Sequence, residues 1–246
     1  MATDRLDGRA ALVTGASSGI GDATAHALAR EGARVALAAR RRGRLSALAD
    51  ALEAEYDTET LVVPTDVRDE AAVEEMVEAT VGEFGALDVL VNNAGLARGS
   101  DVESMTTGEY RTMMETNVDG IFFTTRAALP QLRAAAGNLI FVGSFAGQYP
   151  RPFNPVYAAT KWWTRGFALS VEAATGGEGV AVTVVNPSEV RTEFGNEDGD
   201  AFEERFAPGE VTEPQEVAEA IAFAASLDHS TVSELDVYRR DKLTFF

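Results

Sequence analysis

Short apolar runs along the chain alternate with longer stretches whose apolar residues recur every three or four positions. The runs at 10–14, 35–39, 61–63, 87–91, 139–142 and 180–185 are rich in Val, Leu and Ala and lack the polar alternation of half-exposed strands. They predict strands buried on both faces, as in a parallel sheet. The stretches at 20–30, 44–56, 69–84, 107–135 and 155–174 predict helices, and a last helix starts at Pro214, whose fixed φ suits a first turn. Residues 235–238 predict a seventh strand. Such alternation implies right-handed crossovers. The expected fold is α/β: one doubly wound domain over 1–246, with a mostly or fully parallel seven-stranded sheet flanked by helices. One stretch breaks the rhythm. Residues 188–208 are acidic and glycine-containing, and predict a substrate-lid loop within the domain.

Directly after the first strand stands Gly15-Ala16-Ser17-Ser18-Gly19-Ile20-Gly21. Glycines at a strand-to-helix turn let the backbone approach a pyrophosphate, and the helix start offers free N–H groups and a positive dipole end. Gly15, Ser17, Ser18, Gly19, Ile20 and Gly21 are therefore candidate cofactor-binding residues, the alternative being a tight turn with no ligand. The second predicted strand ends in Ala38-Ala39-Arg40-Arg41-Arg42, where a carboxylate would serve the ribose hydroxyl of NAD. A guanidinium instead fits a 2′-phosphate with charge-assisted bonds. Arg40, with Arg41 helping, predicts NADP(H); the alternative is a solvated basic turn.

Tyr157 and Lys161 lie four residues apart on a predicted helix, hence on one face, with Ser144 upstream at the end of a predicted strand. A free phenol has a pKa near ~10, too high for an efficient base, and a nearby ammonium or an oxidised nicotinamide favours the phenolate. Only Lys161 and Lys242 are lysines; all other basic residues are arginine. Retaining lysine at 161 suggests a use for a point charge on a flexible stem.

Taken together, these residues resemble the short-chain dehydrogenase/reductase family along nearly the whole chain. The matching segments are 14–21 (T-G-A-S-S-G-I-G), Asp66-Val67, Asn92-Asn93-Ala94-Gly95, Asn117, Ser144, and Tyr157 with Lys161. The resemblance implies a Rossmann fold, with Tyr157 as general acid/base and Ser144 bonding the substrate oxygen. Lys161 would hold the nicotinamide ribose and lower the tyrosine pKa, and Asn117 would support a water-linked proton relay. Asp66 and Val67 would border the adenine. Asn93, Ala94 and Gly95 would pack along the cofactor, and Asn186, Pro187, Val190 and Thr192 would face the nicotinamide carboxamide. Phe145, Gln148, Phe153 and Phe194 would line a moderately apolar substrate pocket with Ser144 and Tyr157. Ser188-Glu189 departs from the glycine usual after that proline. The implied activity is an NADP(H)-dependent interconversion of an alcohol and a ketone or aldehyde, with a subgroup acting on small hydroxy acids among the options. A cofactor-binding regulator without turnover, and a dehydratase or epimerase, are the other readings of the same residues. Family members pair through helices, which implies a homodimer or homotetramer, with Trp162 and Trp163 packing on the sheet or at the contact. The terminal Phe245-Phe246 is read as docking on a neighbouring subunit.

Composition narrows the remainder. His26 and His229 accompany no cluster, there is no cysteine, and the acidic run at 193–204 reads as a solvated loop, so no metal is expected. No apolar run reaches the ~20 residues of a membrane span, and the polar N-terminus leaves no room for a signal peptide. The expectation is a soluble, cytoplasmic protein. A net charge of −18 argues against nucleic acid as a partner. Acid excess with so little lysine suggests a fold adapted to very high salt, where screening over ~3 Å removes self-repulsion. An acidic protein from a GC-rich genome is the alternative. Melting in a KCl series separates the two: the salt-adapted fold gains stability into the molar range, and equal stability in dilute buffer removes that reading.

Overall fold

Seven strands form one sheet: β1 (Ala10–Thr14), β2 (Arg34–Ala39), β3 (Thr60–Pro64), β4 (Val89–Asn92), β5 (Asn138–Val142), β6 (Ala181–Pro187) and β7 (Glu234–Val237). Their order is β3-β2-β1-β4-β5-β6-β7, and every neighbouring pair is parallel. The computed structural model describes residues 5–98, 101–195 and 200–244. The Phe245-Phe246 end and residues 196–199 of the expected lid lie outside the described residues.

Alternate side chains of each strand feed two cores. Val13, Val91 and Ile140 point to the face covered by α1 (Gly19–Arg30), α2 (Arg42–Tyr56) and, near the C-terminus, the helix starting at Pro214. Leu12, Leu90 and Phe141 point to the other face, under α3 (Glu70–Phe84) and the two long helices that follow it. Both faces being covered explains why the strands read as continuous apolar runs. Chain direction through the sheet reverses between β1 and β4, so their C-terminal ends open a crevice, the usual ligand position in such sheets.

The helix expected over 107–135 is divided. It begins as α4 (Thr107–Met114), passes through a π turn (Glu115–Asp119), and continues as α5 (Gly120–Ala135). A capping box starts α4: the Thr106 hydroxyl accepts the Glu109 N–H at 3.2 Å and the Glu109 carboxylate accepts the Thr106 N–H at 2.6 Å. The π turn turns Asn117 inward, fully buried. Then come α6 (Pro155–Thr175), the short α7 (Phe202–Arg205) and α8 (Pro214–Ala225). The expected loop at 188–208 thus holds a turn of helix, and a bridge between Val190 and Thr212 ties its root.

Phe141 is fully buried at the centre of the second core, its ring edge-on to Phe167 of α6 at 6.1 Å. Phe141→Ala removes about 3–5 kcal/mol of stability, read as a lowered midpoint in chemical denaturation.

Candidate active site

The turn after β1 is held by contacts that exclude a side chain. Gly15 has φ +67°, and a Cβ at Gly21 would lie 2.3 Å from the Gly15 carbonyl oxygen and 2.5 Å from Asn93 Nδ2. Asn93 Nδ2 donates to the carbonyls of Thr14 (2.8 Å) and Gly15 (3.2 Å), while the N–H groups of Asn93 and Ala94 donate to Thr14 Oγ1. This lashes the end of β4 to the end of β1. Ser18 occupies the cap position of α1, yet its hydroxyl does not cap: it accepts from Arg41 at 2.8 Å. Arg41 also donates to Ser17 Oγ at 2.9 Å. The first N–H groups of α1 are left for a ligand.

From this turn a cavity of about 800 Å³ runs to the C-terminal end of β5. Gly15, Ser17, Ser18, Gly19, Ile20, Arg40 and Arg41 line its first part, with Asp66, Val67, Asn93, Ala94 and Gly95. Ser144, Phe153, Tyr157, Lys161, Pro187, Val190, Thr192 and Phe194 line the second. Gly21 is buried beneath the turn, and Asn117 lies behind the wall. Asp66 accepts from Arg68 Nε at 2.9 Å, and that hydrogen bond holds its carboxyl below the usual range. Arg41, given the secondary role by the sequence, is the arginine tied into the turn; among the described residues no hydrogen bond holds Arg40 at the wall.

Lys161 is buried on α6, and its ammonium donates to the Val142 carbonyl at the end of β5 at 2.8 Å. Asn117 Oδ1 accepts the Leu96 N–H (2.9 Å), and its Nδ2 donates to the Leu96 carbonyl (2.8 Å) and Thr160 Oγ1 (3.1 Å). The π turn, the loop after β4 and α6 are thereby locked together. Ser144 starts a short turn over Phe145–Gly147 and accepts the Ala146 N–H at 3.1 Å.

Burial pushes the Tyr157 hydroxyl above the ordinary phenol value, against the pull of Ser144 hydrogen bonding and the Arg151 charge. Lys161 is not among the causes of that shift. The Lys161 ammonium stands 6.0 Å from the Tyr157 ring centre and is engaged by Val142.

Phe145 and Gln148, expected in the substrate pocket, are turned away from it. Phe145 stacks on Tyr149 at 4.3 Å and meets the edge of Tyr238 at 5.2 Å. Gln148 donates to Asp236 at 2.9 Å and accepts from Tyr238. Asn186 likewise faces β7, donating to Asp236 at 3.1 Å, and only Pro187 of that pair borders the cavity. Trp163 stacks on Phe167 at 4.7 Å against the second core, and Trp162 is exposed. Sequence reasoning missed Glu193, which accepts two bonds from Arg44 (2.7 and 2.8 Å) and one from Arg41 (3.3 Å) and is held below the usual carboxylate range, chiefly by Arg44. It also missed Lys242, paired with Glu189 and lying 4.6 Å over the Phe145 ring. The lysine scarcity that singled out Lys161 applied to Lys242 equally. Among the described residues no group of three or more His, Cys, Asp or Glu side chains converges as a metal would need, and no helix is long and apolar enough to cross a membrane.

Residues 9–202 match the short chain dehydrogenase family. The chain belongs to that family. An uncharacterised oxidoreductase of Staphylococcus aureus is 34% identical over 236 residues, covering 94% of this chain and 97% of its own. An NADP-dependent 3-hydroxy acid dehydrogenase of Shigella flexneri is 34% identical over 235 residues, covering 92% and 93%. Among solved structures, an alcohol dehydrogenase of the archaeon Thermococcus sibiricus complexed with 5-hydroxy-NADP superposes with a TM-score of 0.88 at 31% identity, covering 94% of this chain and 97% of that one. In this short-chain dehydrogenase, then, the glycine turn and the Ser144, Tyr157 and Lys161 set open on one cavity.

Burial holds the Lys161 ammonium down at about 8, against 10.5 for the free side chain. Between those values the unfolded chain binds the proton that the folded one has released, so stability rises with pH. From about pH 8 toward 10 the ligand-free protein gains roughly 2 kcal/mol relative to Lys161→Met, measured by urea denaturation at each pH.

Proposed function

We propose that this short-chain dehydrogenase interconverts an alcohol and a ketone or aldehyde with NADP(H), using Tyr157 as general acid/base. The observation that carries the reading is the single cavity joining Arg41 and the glycine turn to Ser144 and Tyr157. Cofactor preference follows from charge. The end of β2 carries no carboxylate, and Arg41, braced by Ser17 and Ser18, suits a 2′-phosphate with Arg40 beside it. The pyrophosphate would sit on the open N–H groups of α1, with Asp66 and Val67 at the adenine, Asn93 to Gly95 along the middle, and Val190 and Thr192 at the nicotinamide. NADP-dependent or NADP-bound relatives support this choice.

When bound, the nicotinamide supplies or takes the hydride. The chain's part is the proton. The Tyr157 hydroxyl, raised above the ordinary phenol value, keeps its proton at neutral pH, as a donor to a developing alkoxide must. Ser144 hydrogen-bonds the same oxygen and polarises it. Lys161 holds the ribose and adds positive charge that favours the phenolate left behind. The Asn117 side chain is consumed by Leu96 and Thr160, so its support of a relay water comes through its backbone. Residues 188–208 act as a lid, hinged at Ser188, which donates its N–H to Val237 at 3.1 Å, and latched by Glu193 on Arg41 and Arg44. Exposed Phe122 on α5 and Trp162 on α6 support assembly into a homodimer or homotetramer.

NADPH and NADH oxidation against ketones, aldehydes and 3-oxo acids tests the reading. NADPH-dependent turnover is expected, falling about 10²–10⁴-fold in Tyr157→Phe while NADPH still binds. Turnover of the variant at the parent's rate would overturn the assignment.

A further inference from the structure

Behind Tyr157 lies a charged cluster that the proton chemistry does not use. Glu189 pairs with Lys242 and stands 3.7 Å from Arg151 and 3.9 Å from Arg239, which itself pairs with Asp241 at 3.0 Å. Three cations thus share two carboxylates. Lys242 bonds Glu189, and Arg239 Nε lies 3.0 Å from Asp241 as an ion pair without a hydrogen bond, while Arg151 has no carboxylate so near. Its nearest carboxylate oxygen is Glu189 Oε1, the atom already taken by Lys242 and beyond hydrogen-bond distance. Among the described residues the Arg151 guanidinium has no hydrogen-bond partner, and it lines the cavity beside Tyr157.

Arg151 is nonetheless fixed in place. Its guanidinium lies 4.8 Å over the Phe145 ring and 5.4 Å over the Phe153 ring. Stacking on aromatic faces orients the plane and leaves the N–H edges for a ligand. A half-buried guanidinium of this kind, carrying the surplus charge of its cluster, is matched by a carboxylate, which can take two parallel bonds. The other cations bordering this part of the cavity are differently placed: Lys161 is engaged by Val142, and Arg205 lies 5.4 Å over the ring of Phe202 on α7 and 5.7 Å over that of Phe206 just beyond it. Arg151 and Tyr157 line the same cavity, so one small molecule can meet both groups.

We propose that Arg151 is the carboxylate-binding residue of the pocket, and that it selects small oxo or hydroxy acids over their neutral counterparts. This rests on the carbonyl–alcohol reading above and adds the chemical class of the substrate and the residue that reads it.

The test compares acetoacetate with its neutral methyl ester, at saturating NADPH and fixed ionic strength, in the parent, Arg151→Met, Arg151→Lys and Arg205→Gln. The quantity read is the ratio of kcat/KM for acid to ester. It cancels any general effect on folding, on Tyr157 or on the cofactor. The parent should prefer the acid, and Arg151→Met should lower the ratio about 10- to 100-fold, the worth of a charge-assisted pair, with Arg151→Lys between. A ratio within about twofold of the parent in Arg151→Met, or one that falls in Arg205→Gln instead, overturns the proposal. If no carbonyl of any kind is turned over, the redox reading fails, and calorimetric titration of 3-hydroxybutyrate into the protein with NADP⁺ decides about Arg151 separately. Binding to the parent that is lost in Arg151→Met upholds it; no binding, or equal binding, overturns it.

Discussion

The whole site depends on how closely α1 is pressed onto the end of β1. The Gly15 carbonyl and the Cα of Gly21 are so near that even a methyl group at 21 would overlap the oxygen. Asn93 closes the contact from the β4 side with its two donors. The dipole end of α1 is thereby aimed into the crevice where the sheet order reverses, and β1 and β4 cannot slide past each other. Arg41 then reaches back over the turn because Ser17 and Ser18 offer acceptors there, and Ser18 can offer one because it is excused from capping α1. One close approach therefore sets the anion-binding end of the cavity.

At the other end the governing feature is a buried ammonium without a carboxylate. Among the described residues Lys161 has one acceptor, the Val142 carbonyl, and desolvation lowers its pKa. An arginine there would bring five donors to a place with one acceptor and could not relieve the cost by losing its proton. This gives a physical reason for lysine at 161 in a chain whose other basic residues are nearly all arginine. Lys242 differs: it is also buried, but it pairs with the Glu189 carboxylate and lies over the face of Phe145.

The five inner strands were legible because both faces of the sheet are covered there, so apolar runs such as 10–14 carry no competing polar signal, whereas β3 and β7 at the edges are only partly buried. The break in 107–135 was not. A π turn inserts one residue, and helical periodicity over thirty positions tolerates that shift, although it alone explains why Asn117 turns inward. Of the site, the residues with a backbone or helical-spacing reason (Gly15, Gly19, Tyr157, Lys161) fell on the cavity wall. Phe145 and Gln148 did not, because nearness in sequence to Ser144 says nothing about facing. Gln148 is claimed by Asp236 and Tyr238, some ninety positions later on and beyond β7, a pairing that only the sheet topology creates. Glu193 was hidden for the same reason, its arginine partners lying about 150 residues upstream.

Charge ties these parts together. The protein carries −18 overall, yet among the described residues six of its 21 basic side chains line the cavity, against four of its 39 acidic ones. An anion far from the surface meets repulsion, and one at the cavity mouth meets attraction. The crossover falls within a screening length, about 8–10 Å at ordinary ionic strength. Added salt shortens that length, so it lowers the outer barrier faster than it weakens the partly buried contacts inside, such as Lys161 or the stacked Arg151. Exposed pairs at the rim, Arg44 with Glu193 and Arg68 with Asp66, are screened as well. Rising salt should therefore loosen the mouth while leaving the inner charges intact, a division that follows from where each cation is buried and not from how many there are.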